Sequence, residues 1–118
     1  IALFLKSKNC KAIVIACNSA SAVAYNHIIK YITDIPIYNV IDPVVEMIIK
    51  DCTLKEIGVI GTKATIDSGI YKEKINQYCS EISVKSHPTP LLAPMVEEGF
   101  FDQEISRSII KKYLTHNS

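Results

Sequence analysis

The stretch Lys11 to Ala24, KAIVIACNSASAVA, constrains this chain more than any other. An apolar run, Ala12-Ile13-Val14-Ile15-Ala16, stops at Cys17, and Asn18, Ser19, Ala20 and Ser21 follow before an alanine-rich segment that reads as a helix. An unbroken apolar run suits a strand covered on both faces, and a helix directly behind it is the crossover of a parallel sheet. In open α/β sheets, ligands bind outside the carboxyl ends of such strands. Cys17 stands at that end, and Asn18, Ser19 and the first N–H groups of the helix lie where an anion can be held. A free cysteine is often only a packing residue. Here two small polar residues follow it, and a helix start favours the anionic thiolate, so Cys17 is a candidate reactive thiol.

The same pattern recurs along the chain. The first helix is expected from about Ser19 to Ile32, followed by a turn at Asp34-Ile35-Pro36 and a short strand at Ile37–Ile41. Asp42-Pro43 reads as an N-cap and first helical residue, opening a helix over Val44–Lys50 with apolar residues on nearly every side, hence expected to be buried. Ile57–Gly61 is a third strand, Thr62 to Asp67 a loop, Ser68–Cys79 a helix and Glu81–Ser86 a weaker strand. His87-Pro88-Thr89-Pro90 is expected to be irregular because proline removes donors and restricts its neighbour. Leu91–Glu97 resumes order, Gly99 breaks it, and Asp102–Leu114 forms the last helix. Alternating strands and helices predict an α/β fold, a parallel sheet with helices on both faces.

Composition removes several classes of function. The chain of 118 residues is about one domain long, with 48% hydrophobic and 21% charged residues, a globular balance. Its net charge of +1 provides no field for nucleic acid or an acidic membrane. His27, His87 and His116 are far apart, and no zinc-ligand spacing such as C-x-x-C occurs, so no metal site is expected. Cys10, Cys17, Cys52 and Cys79 are irregularly spaced with no secretion signal before them, which reads as reduced thiols of a cytoplasmic protein. No apolar run is long enough to span a bilayer. The opening IALFLKSKN reads as the end of a helix already under way, and QEISRSIIKKYLTHNS as an amphipathic helix with nothing after it, so the chain is expected to be part of a longer protein.

Function in such a fold resides in the loops behind the strands. Three of them are expected at one edge of the sheet: Cys17-Asn18-Ser19, Gly61-Thr62-Lys63-Ala64-Thr65, and Pro90 to Gly99 with Glu97 and Glu98. The two threonines offer hydroxyls and backbone N–H groups to an anion, although Thr is also a common helix cap. Neither a P-loop nor a G-x-G-x-x-G fingerprint is present. Paired glutamates are usually solvated, but the apolar lead-in Leu91–Val96 suggests that at least one is drawn toward the interior, where it could hold a general base in place.

IVIACNSASA, IGVIGTKATIDSGIYKEKI and PLLAPMVEEG, in this order and at these separations, resemble the aspartate/glutamate racemase family, and within it the glutamate enzymes. The resemblance implies two similar α/β lobes with the active site between them, each lobe supplying one catalytic cysteine. One thiolate removes the α-proton of glutamate, and the other thiol reprotonates the opposite face. The resemblance implies no cofactor, neither pyridoxal phosphate nor metal. It makes Cys17 the first catalytic cysteine, Asn18, Ser19, Thr62 and Thr65 substrate-binding residues, and Glu97 a catalytic glutamate assisting on the side of the second cysteine. It divides the chain into 1-41, the C-terminal part of the first lobe, and 42-118, most of the second. The family's opening Asp-Ser, Pro-Tyr-Gly and second-cysteine Gly-Cys-Thr-His motifs are absent from the chain, so these residues alone are expected to be inactive. The expected partner is a small-molecule substrate, glutamate, with a homodimer as the protein partner considered and no nucleic acid or membrane. An aspartate or hydantoin racemase, or a non-catalytic α/β ligand-binding module, is the alternative reading.

Overall fold

The computed structural model describes residues 1–51, 53–100 and 103–115. In chain order the elements are α1 (Ala2–Ser7), β1 (Ile13–Ile15), α2 (Asn18–Tyr31), β2 (Ile37–Asn39), α3 (Asp42–Ile49), β3 (Glu56–Gly61), α4 (Lys63–Asp67), α5 (Ile70–Tyr78), β4 (Ser83–Pro88), α6 (Leu92–Glu97) and α7 (Gln103–Thr115). All pairing is parallel, as the βα alternation predicts. β1 runs beside β2 from Ile13 opposite Ile37 to Ile15 opposite Asn39, and β3 beside β4 from Glu56 opposite Ser83 to Gly61 opposite Pro88. The strands form two separate two-stranded sheets, β1–β2 before residue 42 and β3–β4 after it. The apolar pattern specifies each strand, but which strands become neighbours depends on distant contacts.

The core gathers where α3 and α5 meet. Ile41, Val45, Ile70, Ile75, Cys79 and Ile82 form one buried cluster, with Ile57, Tyr71 and Val84 packed against it. Ile41, Ile75 and Ile82 are completely enclosed. Helix α3 is not buried on every side as its composition suggests. Val45 faces the core, whereas Met47 on the opposite side is 67% exposed.

The start of α3 also differs from expectation. Asp42 is its first helical residue, not its cap. Asn39, at the end of β2, does the capping: its Oδ1 accepts the N–H groups of Ile41 and Asp42, each at 2.9 Å. Asn39 Nδ2 donates to Asp42 Oδ2 at 2.7 Å, and Lys74 Nζ on α5 pairs with Asp42 Oδ1 at 2.7 Å. This joins the α3 start to α5.

Strand β4 runs through His87 and Pro88, which the prolines argued against. Thr89 N–H donates to Gly61 O at 2.7 Å beyond Pro88, so the missing proline donor costs no ladder bond on the β3 side. The expected loop over 62–67 is mostly the short helix α4, and the following helix begins only at Ile70 because Gly69, at φ +66°, turns the chain between them. Cys10 and Cys17 are free thiols, whereas Cys79 is disulfide-bonded, so the reading of all four cysteines as reduced does not hold there. Cys52, Asp102 and His116 lie outside the described residues.

Candidate active site

Segments behind three strands converge on one cleft of about 640 Å³. Cys17, Asn18 and Ser19 come from behind β1, Thr62 and Thr65 from behind β3, and Glu97 from α6 behind β4. All the site residues expected from the sequence therefore line the same cleft, although the strands that carry them belong to different sheets.

Cys17 is the N-cap of α2, with extended backbone angles (φ −95°, ψ 126°) and no hydrogen bond from its side chain to the helix. Its carbonyl accepts Ser21 N–H at 2.8 Å, and the buried Ser21 hydroxyl donates to Ile15 O at 2.9 Å. These two bonds tie the first helical turn to the strand end and fix where Cys17 stands. Its side chain is solvent-exposed. The capping role that Ser or Asn usually fills is left undone here, which keeps the thiol available and the first N–H groups of α2 open.

Ser19, Thr62 and Thr65 form a triangle of hydroxyls. Ser19 Oγ lies 2.7 Å from Thr62 Oγ1 and 3.3 Å from Thr65 Oγ1, and the two threonine oxygens are 3.1 Å apart. Thr62 caps α4, its Oγ1 accepting Thr65 N–H at 3.3 Å. Thr65 is buried, and its carbonyl accepts the Ser68 hydroxyl at 2.6 Å. Each hydroxyl holds one donor hydrogen that rotates about its C–O bond, so the triangle can redirect its hydrogens from one another to an anion.

Sequence reasoning missed one polar contributor. Tyr71, in the first turn of α5, lines the cleft, and its hydroxyl donates to Asn18 Oδ1 at 2.7 Å. Burial raises its pKa above the ordinary phenol value, which keeps it protonated and a donor. Its signal was present in the tyrosine of IGVIGTKATIDSGIY, at the start of the helix behind the threonine loop. The inward pull expected for the glutamate pair is not found. Glu97 and Glu98 are both exposed, because α6 is short and turns neither side chain beneath another element; Glu97, its last residue, nonetheless borders the cleft.

No lysine, arginine or histidine lines the cleft among the described residues. Among them there is also no group of three or more His, Cys, Asp or Glu side chains placed to hold a metal ion. The arrangement offers an exposed thiol at a helix start, an amide whose oxygen is already engaged, and three hydroxyls. Such a set can bind a carboxylate beside a thiol that takes or gives a proton.

A family profile described as Asp/Glu/Hydantoin racemase matches residues 2–111. The chain is 41% identical over 111 residues to a glutamate racemase of Aquifex pyrophilus and 40% identical over 111 residues to one of Streptococcus pneumoniae. Each alignment takes in 94% of this chain and 42% of the relative, so the chain spans about two fifths of the length of these curated relatives. Among solved structures, it superposes on the Francisella tularensis glutamate racemase in complex with D-glutamate at a TM-score of 0.89 and 37% identity, covering 98% of this chain and 44% of that one. The Campylobacter jejuni glutamate racemase gives a TM-score of 0.86 at 35% identity, covering 99% of this chain and 47% of the other.

Proposed function

The chain belongs to the Asp/Glu/hydantoin racemase family, and from that premise we propose that its cleft is one side of a site that interconverts L- and D-glutamate. The observation that carries the reading is the convergence of Cys17, Asn18, Ser19, Thr62, Thr65 and Glu97 on a single cleft. Glutamate is preferred to aspartate or a hydantoin because the similar curated proteins are glutamate racemases and one similar structure holds D-glutamate.

On this reading the Cys17 thiolate takes the α-proton of D-glutamate. The electron pair of the broken C–H bond stays on the α-carbon as a carbanion, and a thiol on the opposite face delivers a proton to form the new C–H bond. Without an electron sink the carbanion is costly, so donors must be aimed at the α-carboxylate, where its charge spreads. Asn18, Ser19, Thr62 and Thr65 are those donors, and Glu97 assists the base of the opposite face. Cys17 is the sole thiol lining the cleft among the described residues, so the opposite base is a cysteine supplied from elsewhere. Residues 1-41 are then the C-terminal part of one lobe and 42-118 most of the other, each with its own two-stranded sheet. The enzyme works without pyridoxal phosphate or metal, and its D-glutamate serves peptidoglycan synthesis in the cytoplasm. A homodimer is the protein partner consistent with this reading.

The test is to incubate the intact protein with L- or D-glutamate in heavy water without added cofactor. Chiral chromatography follows the enantiomers, and proton NMR follows the α-position. Interconversion with deuterium entering at the α-carbon is expected. Faster turnover of aspartate or a hydantoin would move the protein to a sister activity, and no exchange with any of them would overturn the reading.

A further inference from the structure

Asn18 is the cleft residue whose side chain has two chemically opposite ends. Its carbonyl oxygen repels an anion and its NH2 attracts one, and the two exchange by a half turn about a broad, roughly two-fold torsion. Asn18 is the first residue of α2 and is exposed, so its own helix does not choose between them. The orientation present is met from the other sheet's side of the fold. Tyr71 donates its phenol hydrogen to Asn18 Oδ1 across 53 residues of sequence, and no other hydrogen bond engages the Asn18 side chain among the described residues. The half-buried Tyr71 ring packs against the core cluster, which holds the hydroxyl in place. With Oδ1 occupied, the NH2 is the end left for a ligand on the cleft wall beside Cys17 and Ser19.

We propose that Tyr71 is a positioning residue: it holds the Asn18 amide so that NH2 is the end offered to an anionic group of the ligand. That the group is the α-carboxylate of glutamate rests on the proposed racemase activity; the coupling of Tyr71 to Asn18 does not. Loss of the phenol oxygen leaves the amide free to turn, and the orientation that presents Oδ1 opposes binding of a carboxylate.

Tyr71→Phe in the intact protein removes the oxygen and keeps the ring. The KM for D-glutamate should rise on the order of tenfold with a smaller fall in kcat, the pattern of a weakened charge-assisted hydrogen bond. In an Asn18→Ala background the same change should have no further effect, because its target is gone. Equal effects in both backgrounds would mean that Tyr71 acts through packing, and would overturn the proposal. A second arm needs no substrate: heteronuclear NMR of side-chain NH2 groups, with the Asn18 pair identified by its loss in Asn18→Ala. Tyr71→Phe should shift that pair toward the position of a freely turning amide, and an unmoved pair would overturn the coupling. If the pair moves while the wild-type protein leaves glutamate untouched, the substrate reading fails and the positioning role is supported.

Discussion

Ser19 Oγ and Thr62 Oγ1 lie 2.7 Å apart across 43 residues of sequence. Ser19 is in the first turn of α2, behind β1, and Thr62 caps α4, behind β3. The pair therefore bonds the end of one sheet's strand–helix unit to that of the other, at the cleft itself. A ligand that recruits either hydroxyl competes with this bond, so what it gains is the difference between the two arrangements.

Thr62→Val keeps the shape and removes the oxygen. Loss of the α4 cap should cost about 1 kcal/mol of stability. Loss of a charge-assisted bond to substrate should cost a further 1.5–3 kcal/mol or so in the transition state, roughly tenfold to more than a hundredfold in kcat/KM. Thr62→Ser retains the hydroxyl and should recover most of both. Thermal unfolding and kinetics on the same samples separate the two effects, and an unchanged kcat/KM in the valine variant would leave Thr62 as a cap alone.

Cys17→Ser tests the thiol. The side chain is exposed and caps nothing, so circular dichroism and the unfolding temperature should stay close to wild type. Racemisation should fall on the order of 10²–10⁴-fold, the usual contribution of a positioned acid–base group. D-glutamate should also protect Cys17 of the wild-type protein from alkylation while leaving the rate at Cys10 unaltered. A variant with near-normal turnover would remove Cys17 from the chemistry.

Acid stability should depend on Asp42. Partial burial opposes its charge, but the hydrogen bonds from Lys74 and Asn39 and the positive charge of Lys74 outweigh that, and its pKa is lowered from the ordinary 3.8. A carboxylate whose folded-state pKa is depressed adds stability above the unfolded value, and that stability drains away as pH falls through the lowered folded value. Asp42→Asn should therefore lower the urea midpoint at neutral pH and flatten its decline on acidification below about pH 4. Parallel midpoint curves for the two proteins between neutrality and that range would show that Asp42 does not carry the linkage.

Ile75 is 0% exposed in the centre of the core cluster. Ile75→Ala should cost about 2–5 kcal/mol, the transfer free energy of the lost methyl groups plus the cavity left behind. Chemical unfolding checks this, and a loss below about 1 kcal/mol would mean that the α3–α5 junction collapses to fill the gap.

The strands and the residues around the cleft were readable because both depend on local order. The Ala12–Ala16 run, the Gly61-Thr62 turn and the position of Cys17 at a strand end need only neighbouring residues to be recognised. What the sequence hid is set by contacts between distant parts. The exposure of Met47 depends on what lies opposite α3, and Asn39 takes the cap from Asp42 because β2 ends facing the helix start. Tyr71 joins the cleft because Gly69, at positive φ between α4 and α5, redirects the chain into α5. Glu97 borders the cleft, but neither it nor Glu98 is enclosed as the apolar lead-in suggested for at least one of them.

The polar wall of the cleft has a consequence for how a ligand arrives. Its described residues carry one carboxylate, Glu97, and no cationic side chain. The wall itself adds no cationic side chain to steer an anion; its hydroxyls, amide and helix N–H groups act on a ligand at contact. Changes to these hydroxyls should therefore act on how long a ligand stays rather than on how fast it arrives.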